Sequence, residues 1–209
     1  MPALARLGLV GLVGGAILAA MAVPFVAGFG KASEVAAEQI GSLPAVLATP
    51  PLPARTYMLD ADGNRMATLF DENRIEVPLN KISPNMQRAI VGVEDERFYE
   101  HHGVDVQGLI RAQLENTASG SIQQGASTLT MQYVRNVLVT SARSEQEVEA
   151  AREQTTARKL QEIRYAVQLE RELPKDEILR RYLNIAYFGS GAYGVEAASR
   201  RYFGHGADK

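Results

Sequence analysis

The 209-residue sequence contains no cysteine and only three histidines. The absence of cysteine excludes disulfide bonds and thiolate zinc sites, and it gives no information on the compartment. Three histidines, His101, His102 and His205, are too few for a histidine-rich metal cage. The net charge is −2 and the pI is near 6, so there is no basic field of the kind that attracts nucleic acid. We therefore expect neither a disulfide scaffold nor a nucleic-acid partner.

A long uncharged segment is the first feature that is present. Residues 7–30, LGLVGLVGGAILAAMAVPFVAGFG, contain no charged side chain. As a helix this segment would reach about 36 Å, enough to cross a hydrocarbon core of about 30 Å. We interpret it as a transmembrane anchor that follows a cytoplasmic N-terminus at 1–6. The alternative is a signal peptide cleaved near Ala20-Met21-Ala22. Both interpretations place the rest of the chain on the extracytoplasmic side, and the first makes it a single-pass protein of the cell membrane.

The remaining sequence divides into a linker, a small β element and a helical domain. Residues 31–54 contain Ala, Ser and four prolines and are predicted to be a linker. Residues 55–82 hold two short apolar runs around an Asp-Gly turn, typical of a hairpin, and a third run at 74–79 is predicted to add an edge strand. Residues 83–209 are predicted to form a mainly α domain, which we expect to be truncated at its C-terminus. Its expected helices are 84–101, 105–117, 127–139, 145–172, 175–188 and 192–203.

An acidic segment, EDERFYEHHG, follows the predicted start of that domain at residues 94–103. If the first helix continues through it, Glu94 lies on the same face as Ile90 and Phe98. A carboxylate between two apolar side chains loses water, which raises its pKa and fits it for general-base catalysis. The alternative is a solvated acidic helix end, because three further acids lie in the same segment.

A second segment, QGASTLTMQYVRN, lies at residues 124–136. Gly125 permits a tight turn, and Ser127 or Thr128 is a natural N-cap for the helix that follows. Thr128, Gln132 and Arg135 then share one face. A helix N-terminus with hydroxyl groups and one cation favours an anion, although an ordinary capped amphipathic helix has the same pattern.

The third segment of interest is Arg158-Lys159-Leu160-Gln161-Glu162. Arg158 and Glu162 are one helical turn apart, and the simplest interpretation is a surface salt bridge worth a few tenths of a kcal/mol. If this face turns inward instead, Arg158 and Lys159 could hold a diphosphate, and Glu162 could fix the cations or stabilise developing charge.

These segments, taken in order, resemble the peptidoglycan glycosyltransferase (transglycosylase) domain of class A penicillin-binding proteins and their monofunctional relatives. One segment alone is a weak signal, whereas five in the same order are specific. The five are EDERFYEHHG, QGASTLTMQYVRN, RKLQEIRYAVQLE, KDEILRRYLNIAYFG and GVEAASRRYFG.

The resemblance implies an α-rich, lysozyme-like fold with two lobes around a cleft. It implies lipid II, a disaccharide-pentapeptide on undecaprenyl diphosphate, as the substrate, and a nascent glycan strand and other cell-wall synthesis proteins as partners. By resemblance Glu94 is the general base of an inverting transfer and Glu162 is the second catalytic carboxylate. The substrate-binding and supporting positions implied in the same way are Asp95, Phe98, His101, Ser127, Thr128, Gln132, Arg135, Arg158 and Lys159. From the residues themselves, Asp95 is expected to orient a neighbour or cap a helix, and His101 to hydrogen-bond across the turn.

Two departures from the family pattern are visible. Arg135 stands where the family usually has Lys. The positive charge is kept, but a compact ammonium is replaced by a planar guanidinium that can donate two parallel hydrogen bonds. Met131 replaces the first of two Gln residues. No Ser-x-x-Lys motif of the penicillin-binding transpeptidases occurs in these residues. A divalent cation such as Mg²⁺ is the one cofactor that the resemblance raises, and the sequence itself indicates no metal site.

Two other functions fit parts of the pattern. A lysozyme-like hydrolase also uses a pair of carboxylates in a cleft. The cations at Arg135, Arg158 and Lys159 argue against it, because a neutral leaving group needs no diphosphate clamp. The other alternative is a truncated, non-catalytic scaffold that recruits cell-wall proteins.

Overall fold

The computed structural model describes residues 47–109, 111, 127–153 and 155–209. In this part of the chain the helices are α1 (Pro84–Glu94), α2 (Leu129–Ser141), α3 (Glu145–Arg152), α4 (Thr156–Glu172), α5 (Lys175–Ile185) and α6 (Val195–Phe203). The strands are β1 (Thr56–Leu59), β2 (Arg65–Leu69), β3 (Asn73–Arg74) and β4 (Ala192–Tyr193). The prediction of a mainly α protein with a small hairpin is confirmed for these residues.

The predicted membrane anchor at 7–30 lies outside the described residues. Among the helices that the structure does describe, none combines the length and the apolar character needed to cross a bilayer.

The hairpin forms where the Asp-Gly turn predicted it. Strands β1 and β2 pair antiparallel, with Thr56 opposite Leu69. The Asp60 carboxylate accepts hydrogen bonds from the backbone N–H of Asp62 at 2.9 Å and of Asn64 at 2.8 Å. Gly63 takes φ +84°, which only glycine adopts at no steric cost. The predicted edge strand at 74–79 is wrong in extent and in partner: β3 is two residues long and pairs in parallel with β4.

Several helix predictions differ in extent from the structure. The helices predicted over 175–188 and 192–203 are each three residues too long, and the one predicted over 105–117 lies partly outside the described residues. Helix α1 ends at Glu94, because Asp95 takes φ −161° and ψ 73° at its C-cap. The single helix predicted over 145–172 is divided into α3 and α4. Thr155 caps the start of α4, where its side chain accepts a hydrogen bond from the backbone N–H of Arg158 at 3.2 Å.

Helix α2 is packed between α4 and α5 at the centre of the domain. Leu129, Tyr133 and Val137 of α2 are buried in one cluster with Leu179 and Leu183 of α5. This core holds one face of α2 by hydrophobic burial. Met131 and Val134 pack in a second buried cluster with Tyr165 and Ala166 of α4, and Gln132 and Arg135 lie at half-buried positions of α2.

Gly103 attaches the end of the acidic segment to α4. It takes φ +90°, and a Cβ added there would lie 2.8 Å from the carbonyl carbon of Ala166. Only glycine fits both the backbone conformation and this close approach. The acidic segment is therefore fixed on the helix that holds Arg158, Lys159 and Glu162.

Asn184 joins the segment after β3 to α5. Its fully buried side chain accepts a hydrogen bond from the N–H of Val77 at 2.9 Å and donates to the carbonyl oxygens of Val77 at 2.9 Å and Arg180 at 2.8 Å. Arg74, also buried, donates to the carbonyl oxygen of Asn184 at 3.1 Å. These bonds hold the connection between the β element and the helical domain.

We predict that Asn184→Ala lowers the free energy of unfolding by about 2 kcal/mol, because it removes the hydrogen bonds of a fully buried side chain to the backbone of Val77 and Arg180. Urea denaturation measures the loss. Asn85→Ala, at an exposed position of α1, is the matched control and should change stability by less than about 0.5 kcal/mol. Equal stability of the two variants would contradict this role for Asn184.

Candidate active site

Glu94 lies at the C-terminal end of α1 with its side chain exposed. The expectation that Ile90 and Phe98 enclose it is wrong, because the helix does not continue to bring Phe98 onto the same face. Its Oε2 instead accepts a hydrogen bond from Nε2 of Gln132 on α2, at 2.9 Å. Gln132 Oε1 accepts in turn from the hydroxyl of Tyr182 on α5, at 3.1 Å. A polar chain from three helices thus holds the carboxylate.

Asp95 attaches the same segment to the start of α2. It is buried, and its Oδ2 accepts a hydrogen bond from the backbone N–H of Leu129 at 2.9 Å. His101 Nε2 lies 3.0 Å and 2.9 Å from the two Asp95 oxygens. The expectations that Asp95 orients a neighbour and that His101 bonds across the turn are confirmed. Both residues act through other protein groups.

Phe98 has a packing role. The ring is fully buried, meets the Tyr99 ring edge-on at 5.1 Å, and has Lys175 Nζ 4.5 Å above its centroid. A side chain with no exposed surface has no face to offer a substrate, so the structure assigns Phe98 to the core beneath the site.

The N-terminus of α2 is capped by Thr128. Its Oγ1 accepts from the N–H of Met131 at 3.2 Å and donates to the carbonyl oxygen of Gly103 at 2.8 Å. Its hydrogen bonds are therefore used within the protein, as expected of a cap. Ser127, just before it, is partly exposed, and its Oγ lies 2.5 Å from Lys159 Nζ. Ser127 joins the start of α2 to the cations of α4.

Glu162 lies at the centre of these cations, and its side chain has no exposed surface. Arg135 binds it through both carboxylate oxygens, with Nε at 2.6 Å from Oε1 and Nη2 at 3.2 Å from Oε2. Arg158 bonds Oε1, and Lys159 Nζ lies 3.6 Å from Oε2. The i,i+4 pair is therefore buried, and its interpretation as a surface salt bridge is wrong. Three cations around one carboxylate leave two positive charges in excess.

The pKa values of two cations reflect this arrangement. The hydrogen bonds to Glu162 raise the pKa of Arg135, against the effect of partial burial. Burial lowers the pKa of Lys159, and the charges of Arg135 and Arg158 lower it further, while Glu162 opposes them. An additional anion would stabilise the charged form of Lys159, because burial and the neighbouring cations disfavour it.

Helix α2 connects the two acids. Gln132 and Arg135 are three residues apart on it, about 4.5 Å along the axis, and they bind Glu94 and Glu162 respectively. The sequence therefore identified residues that the fold brings together. The sequence analysis did not identify Tyr182. This residue lies on the apolar face of α5 with Ile178 and Leu179, a pattern that predicts only a core residue.

The donor set around Glu162 does not fit a divalent cation. Both of its oxygens are bound by cations, which would repel a metal ion. Within the described ranges, no group of three His, Asp or Glu side chains is placed to hold a metal. We therefore derive no chemical step through Mg²⁺.

Comparison with known proteins adds to this geometry. Residues 62–209 match the family described as Transglycosylase. The chain is 39% identical over 152 residues to Penicillin-binding protein 1F of Bacillus subtilis, covering 73% of this chain and 20% of the relative. It is 42% identical over 158 residues to Penicillin-binding protein 1A of Escherichia coli, covering 76% and 17%. With Penicillin-binding protein 1A of Clostridium botulinum the identity is 43% over 153 residues, covering 71% and 17%. The chain thus spans about a fifth of the length of these relatives.

We predict that Glu162→Gln lowers the free energy of unfolding by about 3 kcal/mol, because a neutral amide leaves the cations without a counter-charge. Urea denaturation is the measurement, with Glu149→Gln at an exposed position of α3 as the control. An unchanged unfolding midpoint for Glu162→Gln would show that the cations do not depend on this carboxylate.

Proposed function

The chain belongs to the transglycosylase family, and on that premise we propose that it is a peptidoglycan glycosyltransferase that polymerises lipid II. The donor of this reaction is a glycan joined to a lipid diphosphate. The observation that supports the proposal most directly is the cluster of Arg135, Arg158 and Lys159 around the buried Glu162. Its excess positive charge suits a diphosphate leaving group, which gains negative charge as its bond to the sugar breaks.

Glu94 is the general base in this proposal. Gln132 bonds one of its oxygens, Oε2, and within the described structure the other oxygen is left for an acceptor hydroxyl. The carboxylate is exposed at the site surface, where a sugar can reach it. Its position is nevertheless defined, because the amide that holds it belongs to the central helix.

The reaction then has a simple balance. Glu94 takes the proton of the 4-hydroxyl on the acceptor GlcNAc, and that oxygen forms a bond to the anomeric carbon of the growing strand. The bond from this carbon to the diphosphate oxygen breaks, and its electron pair leaves with undecaprenyl diphosphate. Attack opposite the leaving group inverts the anomeric centre. Glu162 holds the cations in place for the departing charge.

We propose that residues 7–30 anchor the protein in the cell membrane, with residues 83–209 as an extracytoplasmic glycosyltransferase domain of lysozyme-like, two-lobed form. An anchored enzyme meets a lipid-linked substrate at high local concentration, because both are confined to one surface.

We predict that Glu94→Gln abolishes polymerisation of lipid II and leaves the fold intact, because the amide cannot accept the proton. Glycan strands formed from purified lipid II are measured by gel electrophoresis, and thermal unfolding checks the fold. Glu96→Gln, an exposed neighbour, should retain activity. Near-normal turnover by Glu94→Gln would contradict the general-base assignment.

The hydrolase alternative is tested in parallel with purified peptidoglycan as the substrate. Growth of strands from lipid II supports the proposal, whereas shortening of the polymer supports a lysozyme-like activity. Binding of lipid II without either reaction supports the scaffold.

We predict that Arg135→Lys keeps most activity and Arg135→Gln loses about tenfold or more in kcat, because the charge at the diphosphate matters more than the second hydrogen bond. Initial rates of lipid II polymerisation at fixed ionic strength make the comparison. Equal losses of kcat in the two variants would show that the paired hydrogen bonds of the guanidinium, and not its charge alone, are required.

A further inference from the structure

Tyr182 is a buried residue with a polar contact that the proposed chemistry has not yet used. Its ring belongs to the main hydrophobic core, and its side chain is 6% exposed. The hydroxyl lies 3.1 Å from Gln132 Oε1, and Gln132 Nε2 lies 2.9 Å from Glu94 Oε2. Three helices, α5, α2 and α1, thus contribute one residue each to a continuous hydrogen-bonded chain.

The donors and acceptors along these hydrogen bonds are determined by the ionised state of Glu94. A carboxylate only accepts hydrogen bonds, so Gln132 must turn its NH₂ group toward an ionised Glu94. The carbonyl oxygen of the amide then faces Tyr182 and needs a donor. Burial raises the pKa of Tyr182 to about 12, and the charge of Glu94 contributes, so the hydroxyl keeps its proton at physiological pH. Tyr182 can therefore donate whenever the amide points this way.

We propose that Tyr182 is a positioning residue for the general base, acting through Gln132 to hold Glu94 in its ionised, proton-accepting form. This role rests on the proposed function of Glu94. Without the hydroxyl, Gln132 Oε1 loses its hydrogen-bond donor, so the amide that donates to the ionised Glu94 is held less firmly.

Tyr182 on α5 reaches Glu94 through Gln132, and the charge of Glu94 acts on the Tyr182 hydroxyl. From α2, the neutral Gln132 faces Glu94, and Arg135 on the same side is paired with Glu162. The adjacent Asp95 is bound by His101 and by the N–H of Leu129. A change in the titration of Glu94 on loss of the Tyr182 hydroxyl would therefore report on the hydrogen-bonded chain.

The test is a carbon-13 NMR titration of the Glu94 carboxyl in the full chain, which needs no turnover. Tyr182→Phe keeps the ring in the core and removes the hydroxyl alone. We expect it to raise the pKa of Glu94 by about half a unit. Tyr165→Phe, a buried tyrosine of a different cluster, should leave this pKa unchanged. In a Gln132→Met background, Tyr182→Phe should have no further effect, because the connection is already broken.

The kinetic counterpart is the pH dependence of lipid II polymerisation. We expect Tyr182→Phe to move the acidic limb of kcat upward by the same amount, which lowers kcat about threefold on that limb, with KM unchanged. An unchanged Glu94 titration in Tyr182→Phe, or a full shift that persists in the Gln132→Met background, would overturn the proposal. A shifted Glu94 pKa in a protein that forms no polymer would support the role of Tyr182 and contradict the proposed function instead.

Discussion

The buried carboxylate of Glu162 is the constraint on which the rest of the site depends. An ionised carboxylate without solvent is tolerated only when cations and hydrogen bonds replace the water. Arg158 and Lys159 come from its own helix, but the bidentate partner, Arg135, belongs to α2. The two helices must therefore meet in one orientation. Once α2 is placed, Gln132 meets Glu94, and the backbone N–H of Leu129 meets Asp95.

The two acids of the site differ because their surroundings differ. Glu162 has no exposed surface and is bound by three cations, so it organises charge. Glu94 is exposed and bound by a neutral amide, so it has an oxygen available for a proton. Separation of two carboxylates into different roles by environment is a general pattern of enzymes that act on sugars. In this protein one helix, α2, contacts both acids.

Local rules of sequence predicted part of this arrangement. The hairpin at Gly63 and the cap at Thr128 both follow from short-range geometry. The helix end at Glu94 did not, because Asp95 leaves the helix to bind groups 34 and 6 residues away. The buried Arg158–Glu162 pair is completed by Arg135 from another helix, and the hydroxyl of Tyr182 bonds to Gln132, 50 residues earlier. Contacts of this kind are set by packing and have no periodic signal.

We propose that the cations around Glu162 bind a diphosphate next to Glu94, whose hydrogen-bond partner Gln132 lies on α2 with Arg135. A crystal structure of the protein with a lipid II analogue of shortened lipid chain tests it most directly. We expect diphosphate oxygens within hydrogen-bond distance of Arg135 and Lys159, with the acceptor hydroxyl at Glu94. A diphosphate bound elsewhere on the protein, with these cations still engaged only by Glu162, would contradict it.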